Sequence, residues 1–401
     1  MGLDQIVTLA NDCVNMGGFV FTKVGPHLKL IASVGNFVFH LNTMDKPNGV
    51  MLKLGELERQ IGRLKEHMSD KFEELKSFVV EQYFWTEFAQ TASTLLKYFQ
   101  DVCRDPSKHN IKLFKEAVER TPPFHFAYKF ISIFEEDHTN PLRTAMNSDT
   151  YKKRATFEKW EKIVDSVLAE LLFLETIANG MFHGSNMIEP EKLERRIKEV
   201  QVKIALLRCH YVDSCWPETV KKIMEDVQHD KDISGHDNKA LAIKNHLMAC
   251  ITDDVFYIIV YDECSGYGNH SFNGYGDQYM VSFREGGCNV VIYRSFHFKN
   301  RSNADYERIK EQVESCRHNV IPHKNDYAGY PKELWDERFN NCGFVGLIRK
   351  QFHPAIRSAN AFGVPWGPGW WITAEVHYVK YPNSRGAISV REDFILIAGF
   401  Y

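Results

Sequence analysis

Acidic side chains at both ends of one apolar run are the first residues whose types suggest chemistry. Asp253 and Asp254 precede the run Val255–Tyr261, and Asp262 and Glu263 follow it. Carboxylates at strand ends can bind a metal ion or exchange protons with a substrate. The alternative is that these carboxylates are simply solvated residues at the ends of a strand. We favour this second interpretation because no catalytic motif accompanies the four residues.

The sequence contains none of the motifs that would assign an enzyme class. It has no His-Glu-x-x-His, Walker loop, Gly-x-Ser-x-Gly or protein-kinase set. His229 and His236 lie in the polar stretch Gln228–Asn238, which is typical of a flexible linker rather than of a metal site. We therefore predict no catalytic residue, no metal ligand and no cofactor, and we expect that the protein is not an enzyme.

The nine cysteines are scattered and form no Cys-x-x-Cys pair, which disfavours a zinc ribbon or a thioredoxin-type site. We expect mostly reduced, buried thiols. The spacing of Cys209 and Cys215 also allows a disulfide between them. Sequons at Asn269 and Asn300 keep secretion open. The first residues, Met1–Ile6, are acidic where a secretory signal is basic, so we predict no signal peptide.

An aromatic segment near the C-terminus has the most unusual local composition. Its tryptophans are interleaved with glycine and proline, a combination that can form a rigid contact surface for carbohydrate, protein or a membrane interface. The alternative is a turn that buries its tryptophans under a sheet. Together with two tyrosines from glycine-rich turns, the candidate recognition residues are Trp366, Trp370, Trp371, Tyr267 and Tyr275.

The stretch Gly17–Leu41 is apolar, but Lys23, Pro26 and Lys29 interrupt the roughly 20 apolar residues that a spanning helix needs. One interpretation is a central hairpin in the core, with its bend at Gly25. The other is a stored membrane-active segment that a rearrangement of packed helices releases. In that second case the inserting side chains would be Phe19, Phe21, Leu30, Ile31, Val34, Phe37, Val38 and Phe39.

Length and composition are those of a globular protein with two to three domains. The chain has 401 residues, of which 44% are hydrophobic and 25% charged, and its formal net charge is −3. A protein that binds phosphate backbones is normally basic, so nucleic acid is not an expected partner.

Apolar residues recur at spacings of three and four through the first half of the chain, and this pattern predicts long helices. Leu57 begins one such amphipathic run, Trp160–Met181 forms a wide apolar stripe, and Leu193–Leu207 keeps the alternating spacing of a coiled-coil seam. Short polar loops join these runs, including one at Asp137–Thr150. We predict an elongated antiparallel helical bundle over residues 1–250.

After residue 250 the pattern changes to β-branched and aromatic runs separated by turn residues. Val255–Tyr261, Gln278–Phe283, Asn289–Phe298 and Trp371–Tyr381 are predicted strands, and Ala304–Cys316 is a predicted helix. Residues 251–401 are therefore predicted to form a smaller mixed domain. The fold class of the whole chain is α+β.

The first half also resembles a known group of animal proteins. An N-terminal segment rich in Gly, Val and Phe is followed by Leu57–Lys76 (LERQIGRLKEHMSDKFEELK), by Gln82–Trp85 and by a second helix. This order resembles the rapunzel and cephalotoxin-like proteins over about Val14–Tyr211 and, more distantly, bacterial helical pore-forming toxins. The cephalotoxin-like resemblance implies a secreted, toxin-like protein.

Two functional hypotheses follow. The first is a non-enzymatic, membrane-active or pore-forming-toxin-like protein whose bundle stores the apolar segment and whose C-terminal module recognises a membrane lipid or a cell-surface receptor. The alternative is a structural or interaction protein that acts through its bundle without membrane activity. We expect a soluble protein, extracellular if the resemblance holds and cytoplasmic otherwise, and a homo-oligomer stays open.

Overall fold

The computed structural model describes most of the chain. The described residues are 3–8, 24–43, 48–73, 84–184, 186–265, 269–274, 278–295, 342–360, 371–380 and 390–400, with 307, 311 and 315. The chain divides into two compact units. One comprises Met1–Asp149 and Ala155–Cys209, and the other comprises Thr150–Arg154 and His210–Tyr401. We call them the helical unit and the α+β unit.

Helices account for the described secondary structure of the helical unit. Residues 3–8 are helical, and a tight turn at Gly25–His27 leads into the first long helix. The helices are α1 (Leu28–His40), α2 (Asn48–Glu73), α3 (Gln90–Arg104), α4 (Lys108–Arg120), α5 (Pro123–Glu135), α6 (Pro141–Ser148), α7 (Arg154–Phe182) and α8 (Ile188–Ser214).

Local sequence signals explain where several helices begin and end. Helix α3 ends at Arg104, before Asp105-Pro106, and the Ser107 side chain caps α4 by accepting the Asn110 N–H at 3.3 Å. The prediction of a loop over Asp137–Thr150 was wrong in part, because α6 lies within it. Asn140 caps α6 by accepting the Arg143 N–H at 3.1 Å, and a proline follows at the first helical position.

Helix α7 lies in the core of the helical unit. From Ile163 to Met181 all its residues are buried except the half-buried Phe173. This burial explains why its apolar stripe covers most of the helix surface.

The α+β unit combines two helices with two antiparallel sheets. Its helices are α9 (Val220–His229) and α10 (His236–Ala249). Its strands are β1 (Val255–Asp262), β2 (His270–Gly274), β3 (Tyr279–Glu285), β4 (Cys288–Ser295), β5 (Cys342–Arg349), β6 (Ala355–Asn360), β7 (Trp371–Lys380) and β8 (Val390–Phe400).

Strand order defines the two sheets. The first has the order β3-β4-β1-β6 and the second β2-β5-β8-β7. In the first sheet β1 pairs antiparallel with β4 from Val255↔Ser295 to Asp262↔Cys288. In the second, β7 pairs with β8 from Trp371↔Gly399 to Lys380↔Val390.

The first sheet lies between the helices and the second sheet. Phe256, Ile258 and Val260 of β1 pack with residues of α9 and α10. The alternate residues Tyr257 and Ile259 pack with residues of the second sheet. Because β1 is covered on both faces, its sequence is continuously apolar rather than alternating.

The predicted α+β class is confirmed, with a helical region followed by a domain of antiparallel sheets. The stretch Gln228–Asn238, predicted as a linker between domains, instead joins α9 to α10 within the α+β unit. The main segment of that unit begins at His210, whereas the sequence placed the start of the second domain at residue 251. Helices α9 and α10 belong to the α+β unit because they pack on its sheet.

The predicted helix Ala304–Cys316 lies outside the described residues apart from positions 307, 311 and 315. Among the helices that are described, none combines the length and the apolar character needed to cross a bilayer.

Candidate functional site

The predicted inserting segment forms helix α1 where it is described. Ile31, Val34 and Val38 are buried, Leu30 and Phe39 are half-buried, and the Phe37 side chain is 40% exposed. Phe19 and Phe21 lie outside the described residues. The described part is thus one amphipathic helix, and a 3-10 helix at Gly25–His27 leads into it. The other arm of the predicted hairpin lies outside the described residues.

Helices α1 and α7 touch through their backbones. A Cβ atom at Gly35 would lie 2.5 Å from the Ile177 carbonyl oxygen, and one at Gly180 would lie 2.0 Å from the Ala32 carbonyl oxygen. Only glycine permits such an approach, because any side chain would overlap the facing backbone. Helix α1 is therefore closely fitted to the central helix of its unit.

Three buried carboxyl groups lie along α7. Burial raises the pKa of Asp165 to about 6, although Gln201 donates a hydrogen bond of 3.0 Å to it. Burial also raises the pKa of Glu175 to about 7, against the lowering effect of the Phe124 N–H. Glu170 has no hydrogen-bond partner among the described residues, and burial raises its pKa well above the usual range. Neutral carboxyl groups are thus favoured inside this helix.

The predicted recognition aromatics cannot be assembled into a site. Trp366, Trp370, Tyr267 and Tyr275 lie outside the described residues, and Trp371 is described only as the first backbone position of β7.

The predicted strand-end carboxylates are engaged in separate contacts. Asp253 forms a salt bridge of 2.9 Å with Arg154, and Asp254 lies 3.7 Å from Arg294. Asp262 contacts two histidines at the surface, His236 at 3.3 Å and His353 at 3.0 Å. Over the described ranges, no group of three ligand side chains is arranged to hold a metal ion.

A groove suited to binding lies between α9 and β3 and has a volume of about 1000 Å³. A pocket between α3 and α4 measures about 360 Å³. Small-molecule sites span about 300–1,000 Å³, so the groove is large enough for a chain segment. It is lined by Pro217, Lys221, Met224, Glu225, Asp226, His229, Asp230, Met280, Val281, Ser282, Phe283 and Glu285.

Helix α9 forms one wall of the groove, and its amphipathic pattern decides which of its faces lines it. Val220, Ile223 and Val227 are buried against the sheet, which leaves Lys221 and Glu225 exposed on the opposite face.

The other wall is an edge strand. Within the described part of the chain, β3 pairs with β4 alone. The Arg294 N–H donates to the Gln278 carbonyl at 2.7 Å. Because hydrogen-bonding direction alternates along an antiparallel strand, the backbone groups of Tyr279 and Val281 then point away from β4. They face the edge of the sheet beside the groove, where no other described strand pairs with β3.

A buried polar cluster holds the two walls together at one end. The Gln228 amide donates to the carbonyl oxygens of Glu285 and Cys288 at 3.2 and 3.3 Å. The Lys239 ammonium donates to the carbonyl oxygens of Gln228 and Gly286, both at 2.9 Å. The end of α9 and the turn after β3 are therefore fixed to each other.

The groove carries an excess of negative charge. Its lining includes Lys221 and four carboxylates, those of Glu225, Asp226, Asp230 and Glu285. Asp226 also accepts a 2.9 Å hydrogen bond from Tyr151, whose pKa is raised to about 12, chiefly by burial.

Sequence reasoning missed this site, although parts of its signal were present. The polar face of α9 and the run Tyr279–Glu285 are both recognisable in the sequence. That β3 is an edge strand beside α9 depends on strand order, which the local pattern does not specify.

Comparison with known proteins places the chain in a family. The family model described as "Protein of unknown function (DUF684)" matches residues 52–381, most of the chain. The chain belongs to the DUF684 family. No curated protein and no solved structure matches it. The groove of this DUF684 chain lies inside the matched residues, whereas α1 lies before them.

Proposed function

We propose that this protein is a non-enzymatic binding protein whose α+β unit takes up an extended segment of a protein partner. The segment would lie in the groove and add a strand to β3. The observation that carries the proposal is the outward-facing backbone of Tyr279 and Val281 beside a groove of about 1000 Å³. Strand addition to an open sheet edge is a recurrent mode of peptide recognition.

The dimensions of the two walls suit such a segment. Helix α9 has ten residues and is about 15 Å long. An extended segment of about five residues covers the same length at about 3.3 Å per residue. Because the polar cluster around Lys239 already fixes the walls, little ordering of the groove would oppose binding.

Each backbone hydrogen bond gained at the edge contributes about 0.5–1.5 kcal/mol net. Side-chain contacts in the groove would have to supply the remaining affinity and the specificity. This division is typical of strand addition.

The resemblance to rapunzel and cephalotoxin-like proteins, and the membrane-active function it implies, stay predictions. The backbone contacts at Gly35 and Gly180 favour a fixed core helix instead. We therefore prefer the binding function.

A selection from a displayed library of random heptapeptides on the full chain tests the proposal. The matched variant is Val281→Pro, which removes an edge-facing N–H and is tolerated on edge strands. We expect selected peptides to bind the variant about tenfold more weakly, and to protect Tyr279–Glu285 from hydrogen exchange. Circular dichroism checks that the variant is folded.

Backbone N-methylation of a selected peptide provides the internal control. Methyl groups on alternate residues should abolish binding in one register and leave it unchanged in the other, because only alternate N–H groups face β3. Equal tolerance in both registers, or protection at a site other than β3, would overturn the proposal. A dimer of the chain that Val281→Pro dissociates would assign the edge to a second copy and also overturn it.

A further inference from the structure

We infer that the segment bound in the groove is basic, with lysine or arginine at alternate positions facing α9. This inference rests on the proposed function and specifies the partner. It starts from the charge of the lining, in which four carboxylates face one lysine.

Glu285 and Asp230 contact no lysine or arginine among the described residues. The one ionisable cationic partner described for either of them is the histidine beside Glu285. Glu285 lies 3.4 Å from the Nε2 atom of His229, which is charged only when protonated. Asp230 accepts the Asp232 N–H at 2.8 Å. Both therefore keep a negative charge that a partner can neutralise.

The cationic partners of the other two carboxylates are exposed lysines, and Asp226 also accepts the hydrogen bond from Tyr151. Glu225 lies 3.8 Å from Lys221, and Asp226 lies 3.5 Å from Lys222. Exposed pairs one helical turn apart contribute little to stability, because water screens both charges. A partner's cation can therefore replace or share these lysines at little cost.

The spacing of the carboxylates fits an extended chain. Glu225 and Asp226 lie one helical turn before His229 and Asp230, a rise of about 6 Å. Alternate residues of a strand, which face the same side, are about 6.6 Å apart. Two successive helix-facing side chains of the segment would thus each meet a carboxylate.

The apolar lining suits the same side chains. Met280 is partly buried against the core, and Val281 and Phe283 are 41% and 38% exposed. Lysine and arginine can lay their methylene stems along such a surface and keep the charged group at its polar rim. Methionine adapts readily to stems of different shape.

Three labelled heptapeptides test the inference by fluorescence anisotropy on the full chain. Each alternates valine with lysine, glutamine or glutamate. We expect the lysine peptide to bind about tenfold more tightly than the glutamine peptide, equal to about 1.4 kcal/mol. Its affinity should fall with added salt, because the Debye length shortens from about 10 Å at 0.1 M to about 3 Å at 1 M. The glutamate peptide should bind most weakly.

The double variant Asp230→Asn, Glu285→Gln should lower the affinity of the lysine peptide severalfold and reduce its advantage over the glutamine peptide, while the carboxylates of Glu225 and Asp226 retain part of that advantage. The control, Glu116→Gln with Glu119→Gln in the helical unit, should change neither. Equal, salt-independent binding of lysine and glutamine peptides, both sensitive to Val281→Pro, would overturn the basic partner and leave the proposed function standing. Failure of all three peptides and of the library selection would overturn both.

Discussion

At the scale of single residues, the groove depends on Lys239, a buried ammonium that is held by carbonyl oxygens rather than by a carboxylate. Its contacts to Gln228 and Gly286 join α9 to the turn after β3. Gly286 adopts a φ of +54°, and a Cβ atom there would lie 1.8 Å from the Gln228 carbonyl oxygen. The turn thus needs glycine both for its backbone conformation and for the close approach of α9.

Substitution of this glycine should destabilise the α+β unit. Gly286→Ala combines left-handed backbone strain of about 1–2 kcal/mol with an overlap that costs about 1–3 kcal/mol. The control Gly287→Ala has a φ of +73° but no atom within 4 Å of the added Cβ, so it carries the strain alone. Urea denaturation followed by circular dichroism should therefore give a lower midpoint for Gly286→Ala than for Gly287→Ala. Equal midpoints would show that the turn can move away from α9.

At the scale of elements, two helix surfaces behave differently. Helix α1 is fitted to α7 at Gly35 and Gly180, where backbones touch. Helix α9 buries its apolar face against the sheet, and its charged face lines the groove beside the edge at which no described strand pairs with β3. We therefore expect α1 to act as part of the core and α9 to act as a binding wall.

The contact between α1 and α7 can be tested with paired glycine substitutions. Gly180→Ala places a Cβ atom 2.0 Å from the Ala32 carbonyl oxygen, so we expect a loss of at least about 2 kcal/mol. Gly55→Ala in α2 meets no atom within 4 Å and should stabilise its helix by up to about 1 kcal/mol. Chemical denaturation of both variants gives the comparison. Unchanged stability in Gly180→Ala would mean that α1 can lift off α7, as the membrane hypothesis requires.

At the scale of the whole molecule, the membrane-active hypothesis and the binding hypothesis concern different units. The segment predicted to insert into membranes belongs to the helical unit, and the groove belongs to the α+β unit.

The raised pKa values of Asp165 and Glu175 bear on whether acid could release the predicted membrane-active segment. A carboxyl group whose pKa is raised by folding binds more protons in the folded state. Its contribution is fullest below the unfolded pKa of about 4 and is lost as pH rises through about 6 to 7. Protonation of these two groups on acidification therefore favours the folded helical unit.

We expect no dye release from liposomes of varied lipid composition, either at neutral pH or below about pH 6, where Asp165 and Glu175 are largely protonated. The variants for comparison are Phe37→Asp, at a position 40% exposed, and Val34→Asp, at a buried one. Leakage by the unmodified chain that Phe37→Asp abolishes without loss of helicity would restore the membrane-active function.

Much of this architecture could be predicted from local pattern. Proline at residue 106, serine at residue 107 and the apolar period of Trp160–Met181 specify helix ends and a buried helix, since capping and periodicity act over a few residues. The continuous apolar run Val255–Tyr261 predicts a strand that is covered on both faces. In the structure, alternate residues of this strand belong to the two cores on either side of the sheet. The α+β class follows from these elements.

The candidate site, by contrast, was decided by tertiary structure. Nothing local to Tyr279–Glu285 makes it an edge strand, and nothing local to α9 places its carboxylates beside that edge. Likewise the apolar character of Ile31 and Val34 did not show that α1 would be fitted to α7 through glycines. Residues distant in sequence meet only when the chain packs. The sequence by itself therefore determined the elements, and the packing determined which of their surfaces came together to line the groove.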